Sequence, residues 1–148
     1  MSALKQKITD AVKDAMRAQL KDRLGTLRMA TAAFKQKEVD ERIELTDAQV
    51  VDILVKMIKQ RKEASAQFLA AGRQELVDKE QSEIMVLEEF LPQQLSEPDI
   101  QTEIKEVIAA LGAASVKDMG KVMAELKHLF AGRADMAVVG QQVKQLLS

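Results

Sequence analysis

The sequence predicts an all-α protein: an N-terminal domain of long helices with an antiparallel helical hairpin, followed by a small C-terminal three-helix bundle. Apolar residues make up 47% of the 148 residues, but only four are aromatic, so the core must be aliphatic and methionine-rich. Two prolines and six glycines, in a chain rich in Ala, Lys, Glu, Gln and Leu, favour helices over strands. Apolar residues also recur at helical spacing along nearly the whole chain.

The first apolar stripe spans Leu4–Phe34, and we expect a bend in it near Asp22 or Gly25. Residues 38–46 are polar and predict a loop. Thr46 lies directly before the next apolar stretch, where a threonine side chain can accept a hydrogen bond from an unpaired backbone N–H. It is therefore the predicted N-cap of the following helix.

Two long helices then form the hairpin, with the chain folding back at Gly72. The reversal at Gly72 places Arg61 opposite Glu83 of the second helix. Arg61 interrupts the apolar stripe of the first helix. We expect a partly buried ion pair between Arg61 and Glu83 or Glu80, which would set the register of the two helices. The alternative is that the Arg61 side chain simply extends to water.

The clearest boundary lies at Pro92, because proline cannot continue a helix and disfavours helical backbone in the residue before it. We predict a helical hairpin domain at 1–93 and a three-helix domain at 96–148. The second domain shows three apolar stripes, each preceded by a capping side chain and separated from the next by glycine. The caps are Ser96, Ser115 and Asp135, and the glycines are Gly112 and Gly132.

The composition excludes several kinds of chemistry. The chain has no cysteine and one histidine, so disulfides and cysteine nucleophiles are excluded and histidine-rich metal sites are not expected. It has no Gly-rich phosphate loop and no G-x-S-x-G motif, and His128 has no obvious partner as a general base. We expect no catalytic residue, no metal and no cofactor. No apolar run suits a signal peptide or a membrane span, which predicts a cytoplasmic protein without membrane contact.

Net charge is −1 overall but is unevenly distributed. Residues 1–42 carry 10 Lys/Arg against 6 Asp/Glu, 43–95 carry 6 against 10, and 96–148 carry 6 against 7. A protein that binds nucleic acid mainly through phosphates usually shows a basic excess. Any RNA contact must therefore come from local patches.

Two basic patches are candidates, each weighed against an ordinary solvated surface. The first lies in the C-terminal domain and comprises Lys117, Lys121, Arg133 and Lys144. Lys117 and Lys121 are four residues apart on one predicted helical face, and Arg133 precedes a helix whose N-terminal N–H groups can receive a phosphate. The second lies on the outer face of the hairpin and comprises Lys56, Lys59, Gln60 and Lys62, with Arg28, Lys35 and Lys37 behind it if the helices pack together. Acidic residues on the neighbouring helix would repel RNA there, so the first patch is the better candidate.

Several motifs resemble the family of GatB and YqeY proteins. The stretches Lys117–Met123 and Gly132–Asp135 are similar to the tail shared by YqeY proteins and GatB, a subunit of the tRNA-dependent amidotransferase. The upstream motifs that resemble the YqeY-like pattern are Leu27–Met29, Lys59–Glu63, Gly72–Arg73 and Glu89–Pro92. The likeness covers essentially the whole chain, with Phe90 standing where the family often has tyrosine.

The resemblance implies an N-terminal helical domain and a three-helix tail that contacts tRNA. It also carries a family-level label, carbon–nitrogen ligase activity with glutamine as amido-N-donor, which we expect only within a complete amidotransferase complex. The expected function is a non-catalytic tRNA-associated binding module, not an enzyme on its own. The alternative is a protein-interaction adaptor for an amidotransferase, a synthetase or another partner.

Overall fold

A computed structural model describes residues 2–148, which form seven α-helices and, within that range, no β-strand. The prediction of an all-α protein is therefore confirmed. Contacts divide the chain into two compact units, Met1–Leu91 and Pro92–Ser148, and each unit has an apolar core of its own.

The first unit is built from four helices. They are α1 (Ala3–Arg17), α2 (Lys21–Glu41), α3 (Asp47–Ala70) and α4 (Gln74–Glu88). α3 and α4 pack against each other, α1 packs on α2 and α3, and α2 also contacts α3 and α4. Side chains from all four helices meet in the core, where Ile8, Phe34, Leu54 and Leu87 are each 0% exposed.

The ends of α1 and α2 differ from the prediction. The bend expected near Asp22 or Gly25 is wrong, because both residues lie inside α2 and the break comes earlier, where Gln19 takes a left-handed backbone with φ of 57°. The loop predicted at 38–46 begins only after Glu41, and Arg42 ends the helix with φ of 53°. Glycine is the usual residue in this conformation at helix ends, so the sequence carries no signal for either stop.

Contacts between α3 and α4 include the expected ion pair. The Nε of Arg61 donates to Oε2 of Glu83 at 3.0 Å, and the two side chains are only 13% and 14% exposed. The prediction of a partly buried pair is confirmed, and Arg61 does not extend to water. Gly72 lies in the connection with φ of 71°, and Thr46 caps α3 as predicted.

Two carboxylates fix the N-terminus of α1 to the neighbouring helices. Asp47 accepts hydrogen bonds from the Ser2 hydroxyl and, at 3.1 Å, from the Leu4 backbone N–H. Glu38 forms an ion pair of 2.6 Å with Lys5. These contacts stabilise the charged carboxylates and hold the pKa of each below its usual value, chiefly through Ser2 for Asp47 and through Lys5 for Glu38.

The second unit contains three helices and a short 3₁₀ turn. They are α5 (Glu97–Leu111), the turn (Val116–Asp118), α6 (Met119–Leu129) and α7 (Met136–Leu147). Each of the three helices contacts the other two. Their buried faces share one cluster, formed by Ile100, Ile104, Val107, Val122, Leu126, Phe130, Val139, Val143 and Leu147. Ser96 and Asp135 cap α5 and α7 as predicted, and Gly112 ends α5 with φ of 64°.

Candidate nucleic-acid interface

The four predicted contact residues lie in three elements of the second unit. Lys117 is in the 3₁₀ turn, Lys121 in the first turn of α6, Arg133 between α6 and α7, and Lys144 in the last turn of α7. The three lysines are exposed and Arg133 is half-buried. Within residues 2–148, none of the four forms an ion pair with a carboxylate. Their charges are therefore available to a polyanion.

Arg133, one of the predicted contact residues, also has a structural role. Its Nε donates to the carbonyl of Gln93 at 3.2 Å, and its own carbonyl accepts the Leu95 N–H at 2.9 Å. The Gln94 side chain adds a 2.6 Å hydrogen bond to the Gly132 carbonyl. These bonds fix the turn before α7 to the segment that enters the unit, and they leave both Nη groups of Arg133 without a hydrogen-bond partner among the described residues.

The N-terminus of α7 is already capped by a carboxylate of the chain itself, that of Asp135. Oδ1 of Asp135 accepts the Ala137 N–H at 2.9 Å, so one of the N–H groups we expected to be open to a phosphate is taken. A second negative charge at this end would meet the Asp135 carboxylate. The helix terminus thus offers little to a phosphate, and the side-chain cations are the remaining candidates for such a contact.

Lys117 and Lys121 do not share one α-helix. The helix predicted to begin at Ser115 instead begins at Met119, after the 3₁₀ turn. Asp118 stabilises that turn by accepting the Ala114 N–H at 2.9 Å and the Ser115 N–H at 3.4 Å. These two backbone bonds, with a smaller contribution from the charge of Lys121, lower the pKa of Asp118. The carboxylate is thus committed to the turn and stays charged near Lys121.

Lys121 and Lys144 lie on different sides of the unit. A Cβ at Gly140 of α7 would lie 3.7 Å from Cε of Met123, so Met123 marks the side of α6 that faces α7. Lys121 is two residues away, which is about 200° around the helix, and so points away from α7. Lys144, one turn after Gly140, lies near the junction of the two helices. The predicted basic patch is therefore divided into two smaller patches on different sides of the unit.

Charge in the second unit is segregated by element. α5 carries four carboxylates against the single cation Lys105, and the carboxylates are Glu97, Asp99, Glu103 and Glu106. The stretch 117–148 carries five Lys/Arg against three Asp/Glu. Two of those three, Asp118 and Asp135, are already bonded to backbone N–H groups. The basic side includes Lys127, an exposed residue of α6 that the sequence-based patch missed.

Packing does not explain why glycine occupies positions 120 and 140. Gly120 is the second residue of α6, and a Cβ there would meet nothing within 4 Å. A Cβ at Gly140 would meet only the ends of two methionine side chains at ordinary contact distance. Neither position therefore requires glycine for close approach of the two helices.

Other kinds of site are not evident in the part of the chain that the structure describes. It contains no group of three or more His, Cys, Asp or Glu side chains that could hold a metal ion. One groove in the first unit, of about 500 Å³ and wide open, is lined by residues that include Asp10, Asp14 and Phe90. No helix within residues 2–148 has the length and apolar character needed to cross a membrane.

Comparison with curated proteins shows relatives in yeasts. The chain is 36% identical over 83 residues to an uncharacterized protein of Schizosaccharomyces pombe, covering 56% of this chain and 68% of that protein. It is 37% identical over 91 residues to altered inheritance of mitochondria protein 41, mitochondrial, of Kluyveromyces lactis, covering 61% and 47%. The Saccharomyces cerevisiae protein of that name is 33% identical over 103 residues, covering 68% and 56%. The chain thus spans only about half the length of the relatives with that name.

These names correct the expected localisation. The prediction of a cytoplasmic protein is wrong, because the Kluyveromyces lactis and Eremothecium gossypii relatives are both named as mitochondrial. The prediction used the lack of a long apolar run, which argues against secretion and membrane insertion. Mitochondrial targeting uses amphipathic, Arg-rich segments instead, so that observation never distinguished the two compartments.

A family model covers almost the whole chain. Residues 5–147 match the model described as Yqey-like protein, and the match includes both units and all four predicted contact residues. The chain therefore belongs to the family of Yqey-like proteins.

Proposed function

We propose that this chain is a non-catalytic RNA-associated module whose second unit contacts the phosphate backbone of tRNA. The contacting residues are Lys117, Lys121, Arg133 and Lys144. The observation that carries the proposal is that these cations form no ion pair among the described residues and lie in the half of the unit where basic residues exceed acidic ones.

The surface suits structured RNA better than unpaired bases. Phe130 is the one aromatic residue in 96–148, and it is 1% exposed. Sequence-specific binding of single strands relies on stacking bases against exposed aromatic or arginine side chains. Lysines on two sides of a compact helical unit can instead follow phosphates on two sides of a folded RNA.

The family tail supports tRNA as the RNA class. Lys117–Met123 and Gly132–Asp135 resemble the tail of GatB, which in the amidotransferase contacts tRNA while other domains perform the chemistry. We infer that any link to glutamine-dependent carbon–nitrogen ligase activity operates within a complete complex. In this proposal 1–93 is a helical hairpin domain and 96–148 a three-helix bundle that carries the interface. The names of the relatives support mitochondria as the compartment for this role.

Salt dependence tests the proposal. The full chain is titrated with labelled tRNA at several salt concentrations, and the dissociation constant is followed by anisotropy. Four phosphate contacts predict that affinity falls roughly a hundredfold between 50 and 200 mM salt. Changing the four contact residues to Ala together should abolish most of this dependence. Changing Lys56, Lys59 and Lys62 to Ala is the matched control on α3, and it should leave binding within about twofold of wild type.

Two results would contradict the proposal. One is the absence of tRNA binding even at low salt. The other is an equal loss of binding in the α3 control, which would move the interface to the first unit.

A protein-interaction adaptor is the second candidate function. It is supported by a separate feature of the same unit, the three partly exposed methionines where α6 meets α7: Met119, Met123 and Met136.

A further inference from the structure

Two rows of side chains meet between α6 and α7, and in each row the residues are four positions apart. The α6 row is Met119, Met123 and Lys127, and the α7 row is Met136, Gly140 and Lys144. Residues at this spacing lie along one face of a helix. A Cβ at Gly140 would lie 3.7 Å from Cε of Met123 and 4.0 Å from Cε of Met119, so the two rows face each other. We call these six residues the methionine seam.

The seam is accessible from outside. Its three methionines pack against the core of the unit but remain partly exposed. Lys127 and Lys144 are exposed, and neither forms an ion pair within the described part of the chain. The fold does not require glycine at position 140, although glycine destabilises a helix interior relative to alanine. The ends of the Met119 and Met123 side chains lie at contact distance from the place where a Cβ would be.

We propose that the methionine seam docks an amphipathic helix from a partner protein, with acidic residues on both sides of its apolar stripe. Methionine side chains are unbranched and adapt to differently shaped apolar surfaces, which suits them to helix recognition. A partner helix would lie along the exposed parts of the two rows and cover them with apolar residues spaced at i, i+3, i+4 and i+7.

Charge favours an acidic partner helix. α6 and α7 contact each other and are joined by residues 130–135. Lys127 ends the α6 row and Lys144 ends the α7 row, so each row offers one cation to the carboxylates of a helix that lies over the seam. The acidic surface of α5 would repel the same helix, which restricts it to the α6–α7 side.

An RNA backbone fits the seam less well. Sugars and phosphates offer no extended apolar surface to the methionines, and Lys121, which belongs to the proposed RNA interface, points away from α7. The seam therefore adds a protein-binding function to the proposed RNA contact and shares only Lys144 with it.

A designed peptide tests the proposal with the full chain. The probe is a fluorescent helical peptide with leucines at i, i+3, i+4 and i+7 and glutamates on both sides, and its anisotropy reports binding. Changing both seam lysines (Lys127→Glu and Lys144→Glu) should weaken binding about tenfold. The matched control is Lys105→Glu with Lys121→Glu, the same charge change outside the seam, which should alter affinity less than about twofold.

A second variant separates docking from folding. Gly140→Gln places a helix-favouring side chain across the seam, so it should abolish peptide binding while the helical content and Tm of the chain stay the same or rise. A peptide of the same composition with scrambled leucines should bind at least tenfold more weakly than the probe, because it has no apolar stripe.

Several outcomes would overturn the inference. They are no binding of the probe, equal loss in the Lys105/Lys121 control, equal binding of the scrambled peptide, or full binding by Gly140→Gln. If tRNA displaces the peptide and Gly140→Gln weakens tRNA equally, the seam is an RNA site and the inference is wrong. If tRNA does not bind at all but the peptide does, only the RNA proposal fails.

Discussion

Removing one partner of the Arg61–Glu83 ion pair should destabilise the packing of α3 on α4. The two side chains are joined at 3.0 Å and are only 13% and 14% exposed. Arg61 also donates from Nη1 to the Met57 carbonyl at 3.1 Å. Arg61→Met keeps the apolar stem but leaves the Glu83 carboxylate nearly buried without its cation.

The expected loss of unfolding free energy follows from the burial of this ion pair. Removing one partner of a fully buried pair costs about 3–5 kcal/mol, whereas an exposed pair contributes at most about 1 kcal/mol. The slight exposure here places Arg61→Met, and likewise Glu83→Leu, at about 2–3 kcal/mol. The double variant leaves neither charge buried, so it should return to within about 1 kcal/mol of wild type, which means a coupling of at least about 3 kcal/mol.

Hydrogen exchange of the α3 and α4 amides at increasing urea is the assay. A chain with two compact units need not unfold in one step, so a local readout is preferable to a single global transition. The control is Arg73→Met, which breaks a pair whose side chains are 58% and 65% exposed and should change stability by less than about 0.5 kcal/mol. If the losses of stability in the two single variants simply add in the double variant, the reasoning is refuted.

Three further predictions concern stability. Glu38 and Asp47 have folded pKa values below their usual values, so the stability they contribute is present above the unfolded pKa and is lost as pH falls through the folded pKa. Glu38→Gln with Asp47→Asn should therefore flatten the acid side of a plot of urea-unfolding free energy against pH; an unchanged slope would contradict this. Gly72→Ala should lower the unfolding free energy of the first unit by about 1 kcal/mol, because φ is 71° there; a rise in Tm would contradict the left-handed turn. Gly120→Ala should raise the stability of the second unit by up to about 1 kcal/mol, because nothing lies within 4 Å of its Cβ position; a lower Tm would show a contact that the structure lacks.

Helix boundaries marked by a capping side chain or a glycine were easier to predict than the stops at Gln19 and Arg42. Thr46, Ser96 and Asp135 cap helices as predicted, because a side-chain acceptor before an apolar stripe is a local and specific signal. The stops at Gln19 and Arg42 depend on left-handed backbone at residues that do not usually adopt it. Tertiary packing determines such stops, and no single residue in the sequence indicates them.

The sequence predicts that the individual cations of the candidate interface are exposed, but it does not predict how they are grouped on the surface. Lys117, Lys121 and Lys144 are exposed cations, as their residue type suggests. Their grouping was not predictable, because it depends on where α6 begins and on which side of α6 faces α7. The methionine seam did have a signal, the two four-residue spacings in the sequence, but it becomes meaningful only once α6 and α7 are known to be neighbours.

The central claim is that the second unit holds tRNA by its cations, and amide chemical-shift mapping at low salt tests it most directly. Adding tRNA to the labelled full chain should shift amides of 115–148, including those of Lys117, Lys121, Arg133 and Lys144, and raising the salt should reverse the shifts. Shifts confined to α3, or shifts that persist unchanged at high salt, would contradict the claim.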